Sequence, residues 1–268
     1  MEVLQSFPEE VESLLHHLST LQVNGQTYGP TQFAMTNYIT FMFVAITVLA
    51  IVMFLAVKRL KMVPDSKLSN AVEALAQFVR DDIAASMIHH NSRSAFPFLA
   101  TLFFFILTNN IVGLIPGCKP GTGTMGIAVA LSLSVFVYFN YVGFKNQGFF
   151  GYLKSFVPSG VPLAVAPIIW VIEVFSAFLR VFTLSVRIFA NMFAGHIILG
   201  IFAILTSLFV QPMIADLSAK TIAGALPALG WLLLMTALYL LEVLVAFVQA
   251  YVFTLLSAVY IGQAAEAH

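Results

Sequence analysis

Five long apolar stretches, separated by short polar segments, dominate the pattern along this chain. They lie at about residues 36–57, 96–116, 126–144, 162–210 and 227–263. Because about 20 apolar helical residues cross the hydrocarbon core of a bilayer, each stretch predicts a transmembrane helix and the chain an all-α membrane fold. The last two stretches exceed one straight crossing, so we expect long, strongly tilted helices. A hydropathy window would alternatively divide each of these two into two spans.

Residues 66–90 follow a different pattern, in which apolar residues recur every three or four positions and charged residues occupy the other faces. This predicts an amphipathic helix that lies on the membrane surface or against a partner, with Ser66 as its N-cap. Asp81 and Asp82 are a pair that could suggest a metal–diphosphate site. The third acidic residue of such a site is missing, because Ala85 stands there, so we interpret the two carboxylates as a solvated face.

Residues 1–34 form a polar N-terminal arm, and residues 35–268 form the membrane domain. The arm combines a short helix-forming run with NGQTYGP, which is typical of a turn or loop. It has no basic region followed by an apolar core, so we expect no cleaved signal peptide. His16 and His17 are adjacent and would point in different directions on a helix, which favours solvated surface over metal binding.

The basic residues between the spans predict the orientation of the chain, because they accumulate on the cytoplasmic or matrix side. With the N-terminus outside, eight of them fall inside: Lys58, Arg59, Lys61, Lys67, Arg80, Arg93, Lys145 and Lys154. Only two, Lys119 and Lys220, fall outside.

The composition agrees with a polytopic membrane protein, because 60% of residues are hydrophobic and 9% are charged. The chain has no basic run of the kind that would favour nucleic acid as a partner. Its single Cys118 cannot form an internal disulfide.

Ionisable residues interrupt the fourth apolar stretch. A basic side chain at the bilayer centre costs about 2.5–3.5 kcal/mol on insertion scales, so it normally faces protein or water. At about 100° per residue, six residues share one stripe of this helix: Glu173, Ser176, Arg180, Thr183, Arg187 and Asn191. His196 points to the opposite side. The helix therefore presents a cation, Arg187, with polar groups leading away in two directions.

The fifth stretch carries Glu242 and Gln249 on one face, with Tyr239 and Gln263 near it. Glu242 could form a structural salt bridge to an arginine of the fourth stretch, either Arg187 or Arg180. It could instead belong to a proton path, because Glu and His both titrate readily when their surroundings shift them.

Asn109 and Asn110 lie inside the second stretch, where paired amides must find partners. They either form hydrogen bonds between helices or line a water path. An arginine stays protonated, since its pKa lies above about 12, so it cannot relay protons by releasing them. One fixed positive charge combined with relay groups is suited to proton movement that a barrier controls.

Two segments, SVRIFANMFAGH (185–196) and LEVLVAFVQAYVF (241–253), closely resemble the signature helices of the a subunit of F-type ATP synthase. FFFILTNNIVGLIPG and IIWVIEVFSAFLR precede them in the order found in that family. The resemblance covers residues 36–263.

This resemblance implies a stator protein beside a rotating ring of c subunits, with b-type peripheral stalk subunits and other ATP synthase subunits as partners. Protons would reach the ring carboxylates through two offset half-channels, separated by the essential arginine, which Arg187 matches. Gln249 would also hold Arg187 in place. The outer half-channel matches Asn191, His196, Glu242 and Gln249, and the inner one matches Glu173 and Ser176. Candidates with less defined roles are Arg180, Asn109, Asn110, Tyr239 and Gln263.

The resemblance implies no cofactor and no bound metal. The chain has no Gly-x-x-x-x-Gly-Lys-[Ser/Thr] motif, so we place ATP chemistry on other subunits. His196 favours protons over Na⁺. The acidic N-terminus, without an Arg-rich transit segment, favours a bacterial plasma membrane over a mitochondrial inner membrane.

Three other protein classes fit the sequence less well. A proton-coupled secondary transporter is the main alternative, but it should show two related halves, and no internal repeat is visible. A b-type haem protein needs paired axial ligands, and only His196 lies in the apolar core. A membrane-embedded enzyme needs a catalytic motif, and the spans carry neither His-Glu-x-x-His nor Gly-x-Ser-x-Gly.

Overall fold

The computed structural model describes residues 7–19, 21–23, 26–28, 37–58, 67–88, 92–115, 117–156, 165–215, 224 and 226–265. In chain order the elements are α1 (Phe7–Ser19), β1 (Leu21–Val23), β2 (Gln26–Tyr28), α2 (Asn37–Lys58), α3 (Lys67–Gln77), a π-helical segment (Phe78–Ala84), α4 (Ala85–Met87), α5 (Ser92–Leu114), a short 3₁₀ turn (Gly121–Gly123), α6 (Met125–Ser155), α7 (Ala166–Ala215) and α8 (Leu226–Ala265).

Five of these helices, α2, α5, α6, α7 and α8, are long and apolar enough to cross a membrane. The predicted all-α membrane fold is therefore confirmed. The last two helices contain 50 and 40 residues, each continuous, so neither stretch divides into two spans. At about 1.5 Å per residue both exceed a hydrocarbon core of about 30 Å, which supports the expected tilt.

The N-terminal arm contains a β-hairpin that the sequence analysis did not predict. Strands β1 and β2 are antiparallel, with Leu21 opposite Tyr28 and Val23 opposite Gln26. The signal was available, because Asn-Gly between short runs rich in Val, Thr and Tyr is typical of a hairpin. Helix α1 packs against α7. The side chains of His16 and His17 lie outside the described part of the arm.

The predicted amphipathic helix is present, but a π-helical segment replaces its second half. A π turn adds a residue to each turn and changes which side chains face inward. Val79 and Ile83 are fully buried there, whereas the side chains of Arg80 and Asp81 are 57% and 59% exposed and pair at 2.8 Å. Hydrogen bonding to Arg80 lowers the pKa of Asp81. The predicted N-cap, Ser66, lies outside the described residues.

Helix α6 continues to Ser155, beyond the predicted end at residue 144. The prediction that Lys145 and Lys154 lie in a loop is wrong, because both belong to this helical stretch. Its direction changes at Gly148, where φ is 72° and ψ is 166°, a conformation that favours glycine. The segment contains no proline, so a single glycine kink redirects the helix without ending it.

Helix α8 lies at the centre of the bundle and packs most extensively against α5 and α7, while α6 packs against α7 and α8. Phe103, Phe253 and Ile188 are fully buried among these helices. Gln147 Nε2 donates to the carbonyl of Ala264 at 3.3 Å. This packing brings together the two helices that carry the predicted charges.

Candidate functional site

The polar, charged and aromatic side chains of the site on α7 and α8 fall into two groups on either side of Arg187. The inner cluster is Glu173, Arg180 and Tyr260; the outer cluster is Asn191, His196, Glu242 and Gln249. The names follow the predicted orientation, in which α7 runs from the inner to the outer side.

The inner cluster is an ion pair backed by an aromatic ring. Arg180 Nη2 donates to Glu173 Oε1 at 2.9 Å, and the two side chains are 24% and 39% exposed. The seven-residue step between them is about two turns, so both extend from one face of α7. The Arg180 guanidinium also lies 5.1 Å from the ring centre of Tyr260 on α8, within cation–π range. Ser176, predicted for the same path, is half-buried.

Arg187 lies on the exposed surface of the helix bundle. Leu184, Ile188 and Met192, spaced four residues apart, pack into the core, and Arg187 lies about 100° around α7 from the centre of that stripe. Arg187 is exposed, and it makes no hydrogen bond or ion pair within the described ranges. The exposed positions next to it along α7 include the small residues Ala190 and Ala194. This face therefore presents a cation with small side chains on its C-terminal side.

His196 links α7 to the end of α5. Its Nδ1 lies 3.0 Å from the carbonyl of Met192, and its Nε2 lies 3.0 Å from the carbonyl of Gly113. A neutral imidazole has one N–H and can donate to only one of these carbonyls, whereas the imidazolium can donate to both. In the neutral ring one nitrogen faces its carbonyl as acceptor to acceptor, so only the imidazolium satisfies both contacts at once.

Glu242 is 7% exposed and packs directly against Gly195, the residue before His196. A Cβ atom at position 195 would overlap the Glu242 carboxylate, so a larger residue there forces that side chain to move. Among the residues described, Glu242 forms no ion pair. The interpretation of Glu242 as half of a structural salt bridge is wrong here, because Arg180 pairs with Glu173 and Arg187 faces outward.

Three buried amide atoms lack hydrogen-bond partners within the described part of the chain: Asn109 Oδ1, Asn191 Nδ2 and Gln249 Nε2. Leaving a buried polar group unpaired costs about 1–3 kcal/mol, and buried water commonly supplies the missing bond. The predicted contact between Gln249 and Arg187 is not formed. The amide-rich side of the outer cluster is therefore suited to hold water.

Asn110 differs from its neighbour because both of its amide atoms have partners. Its Nδ2 donates to the carbonyl of Ala246 at 3.3 Å, and Thr122 Oγ1 donates to its Oδ1 at 2.8 Å. Asn110 thus fits the first of our two interpretations, a hydrogen bond between helices. The orphan oxygen of Asn109 fits the second, a water path.

Two further candidates lie at the margins of the site. Tyr239 packs against Leu114, Met192 and Ala246, beside the outer cluster. Gln263 is exposed near the end of α8, apart from both clusters.

Lys119 introduces a charge at the outer side, in the segment between α5 and α6. Its ammonium lies 5.2 Å from the ring centre of Tyr38, and burial lowers the pKa of Lys119. In the sequence this residue bore only on the predicted orientation.

Sequence reasoning missed three contacts that shape the site. Tyr260 carried no signal, because an aromatic residue in an apolar helix usually belongs to the core. The carbonyl of Gly113 is a backbone group at a helix C-terminus, where carbonyls lack helical partners. Gly195 stood inside the SVRIFANMFAGH segment, but its contact with Glu242 depends on how α7 and α8 cross.

Comparison with known proteins gives one consistent result. The ATP synthase A chain family matches residues 39–262. ATP synthase subunit a of Rhodopseudomonas palustris is 39% identical over 89% of this chain and 92% of the relative. The subunit a of Cereibacter sphaeroides is 35% identical over 94% and 90% of the two chains, and that of Myxococcus xanthus is 35% identical over 90% and 76%.

Proposed function

Because the chain belongs to the ATP synthase A chain family, we propose that it conducts protons in the F0 sector of ATP synthase, through two offset half-channels that meet a ring of c subunits. Each c subunit would carry a membrane-buried carboxylate that takes a proton from one half-channel and releases it to the other. The resulting rotation drives ATP formation on other subunits, so this chain is a non-catalytic stator component.

The position of Arg187 carries this proposal. An exposed guanidinium within a membrane-spanning helix is costly unless another group covers it. A ring carboxylate passing along this face of α7 would pair with it. Since Arg187 keeps its proton, it would favour the ionised carboxylate and prevent protons from passing directly between the half-channels.

The two clusters on either side of Arg187 support the two paths. The outer cluster combines a buried carboxylate, an imidazole and unpaired amides, which suits a hydrated entrance with relay groups. The inner cluster places the Glu173 carboxylate about four helical turns from Arg187 on the same helix, at the predicted exit.

The energetics are consistent with rotation driven by the membrane potential. One charge that crosses 100 mV releases about 2.3 kcal/mol, so several protons per turn can supply the free energy of ATP formation. This coupling works only if no proton bypasses the ring. The barrier formed by Arg187 is therefore as essential as the two half-channels.

The ring would cover the exposed face of α7 around Arg187, and b-type stalk subunits would hold this chain against rotation. The relatives compared above are bacterial proteins, which supports a bacterial plasma membrane as the location. His196 supports protons as the coupling ion.

The decisive experiment substitutes Arg187 in the complete ATP synthase, reconstituted in vesicles. We expect Arg187→Ala to abolish ATP synthesis driven by a proton gradient. Arg187→Lys should also fail, because a lysine can lose its proton in a dry site and lacks the planar fork. ATP synthesis that persists in either assembled variant, at the rate of the parent, would refute the proposal. Leu179→Ala, an exposed substitution on the same helix, is the matched control.

A further inference from the structure

The geometry points to Tyr260 as a positioning residue of the inner half-channel. Its ring holds the Arg180 guanidinium, and the guanidinium in turn keeps the Glu173 carboxylate in one place. This inference rests on the proposed function for the role of Glu173 in the exit path. It adds a residue of α8 to a path assigned so far to α7 alone.

The ion pair needs a second support, because an isolated pair at this exposure is weak. Partly exposed salt bridges contribute little and leave long side chains free to move. The guanidinium of Arg180 has contacts on two sides, with Glu173 Oε1 at 2.9 Å and the Tyr260 ring centre at 5.1 Å. A cation held between a carboxylate and an aromatic ring samples fewer positions than one held by either alone.

Tyr260 is itself fixed by the bundle. Its ring lies 6.2 Å from that of Phe139 on α6, at an angle of 58°. The adjacent Ile261 and the preceding Ser257 on α8 are buried. The ring therefore presents a defined surface to α7, set by the packing of α6 against α8.

Glu173 itself is 39% exposed and lies about two turns after the start of α7. Proton transfer requires donor and acceptor within about 2.6–3.2 Å, so a carboxylate that swings between positions would serve the exit poorly.

The face of the Tyr260 ring, rather than its hydroxyl, makes the contact with Arg180. Phenylalanine keeps that face and leucine removes it. We therefore expect Tyr260→Phe to retain proton flux and Tyr260→Leu to lower it about threefold, the range of a cation–π contact at a partly exposed site.

The test uses the complete ATP synthase in inverted membrane vesicles and measures ATP-driven proton pumping per assembled complex. The variants are Y260F, Y260L, R180Q and the double variant Y260L/R180Q. If Tyr260 acts through Arg180, the double variant pumps as well as R180Q alone. A purely structural role for Tyr260 would instead make the double variant worse than R180Q, and would overturn the inference.

Equal pumping by Y260L and Y260F would also overturn the inference that Tyr260 positions Arg180. Tyr260→Met, with an unbranched side chain that fills similar space, replaces Y260L if that variant does not assemble. Arg187→Ala in the same vesicles separates the two hypotheses. Its continued activity would count against the proposed function, whereas its inactivity together with equal Y260L and Y260F would reject only the role of Tyr260.

Discussion

The inner and outer clusters both place polar groups in an apolar helix bundle. They differ in whether those groups have partners within the chain. In the inner cluster each charge has a partner within the chain, since Arg180 contacts both Glu173 and Tyr260. In the outer cluster the carboxylate of Glu242 is 7% exposed and has no counter-charge among the described residues, and the amide nitrogens of Asn191 and Gln249 lack partners there.

This difference indicates what each region exchanges with its surroundings. A paired, partly exposed cluster is complete without further molecules and can open directly to solvent. A buried cluster with unpaired amides gains about 1–3 kcal/mol per group when water satisfies it. The outer region is therefore suited to hold a column of water, and the inner region to hold a carboxylate at a fixed point.

Among the substitutions that test this comparison, Glu242→Leu is expected to cause the largest fall in proton flux. It removes the buried titratable group of the outer cluster, so we expect passive proton flux through F0 to fall roughly tenfold or more. ATP hydrolysis should stay coupled to pumping, because Arg187 is unchanged. Flux and coupling are measured in vesicles, with Leu241→Ala on the exposed side of α8 as control. Unchanged flux would contradict the assignment of Glu242 to the path.

A smaller effect is expected from Glu173→Gln, which leaves Arg180 without its carboxylate partner. We expect pumping to fall about fivefold, equivalent to about 1 kcal/mol. Adding Arg180→Gln should cause no further loss, because the two side chains act as a pair. A double variant much slower than Glu173→Gln would show that the residues act independently, and the contrast between paired and unpaired clusters would fail.

The smallest effect on flux is expected at the two asparagines of α5. Asn110→Ala breaks two buried hydrogen bonds, one to α8 and one to the 3₁₀ turn, and should destabilise the complex by about 1–3 kcal/mol, while flux stays within about twofold. Asn109→Ala removes an unpaired oxygen and one hydrogen bond within α5, to the carbonyl of Phe105, and should destabilise the complex less. Thermal unfolding in detergent, followed together with vesicle flux, compares the two. The opposite order of stabilities would contradict the hydrogen-bond assignment.

Much of this architecture could be predicted because it depends on patterns within one helix. Apolar length predicted the five spans, and the 100° step placed Glu173 and Arg180 on one side of α7, where they form their ion pair. The family comparison confirms the resemblance carried by SVRIFANMFAGH and LEVLVAFVQAYVF. Local spacing and composition are sufficient for features of this kind.

Features that depend on how helices cross could not be predicted in the same way. The Tyr260 contact requires the relative position of α7 and α8, which no spacing within one helix specifies. The π-helical segment requires the packing of Val79 and Ile83 against α5 and α8, so the sequence alone indicated an ordinary amphipathic helix. The extension of α6 was missed because Gly148 reads as a loop signal, although it acts as a kink.

The contact between Gly195 and Glu242 also restricts how this protein can diverge. A methyl group at position 195 displaces the carboxylate, so an alanine there requires Glu242 to move or to be replaced by a shorter acid such as aspartate. Chains that share this helix crossing should therefore vary the two positions together, with their summed volume nearly constant. In a large set of such sequences, that covariation would trace the crossing point without any coordinates.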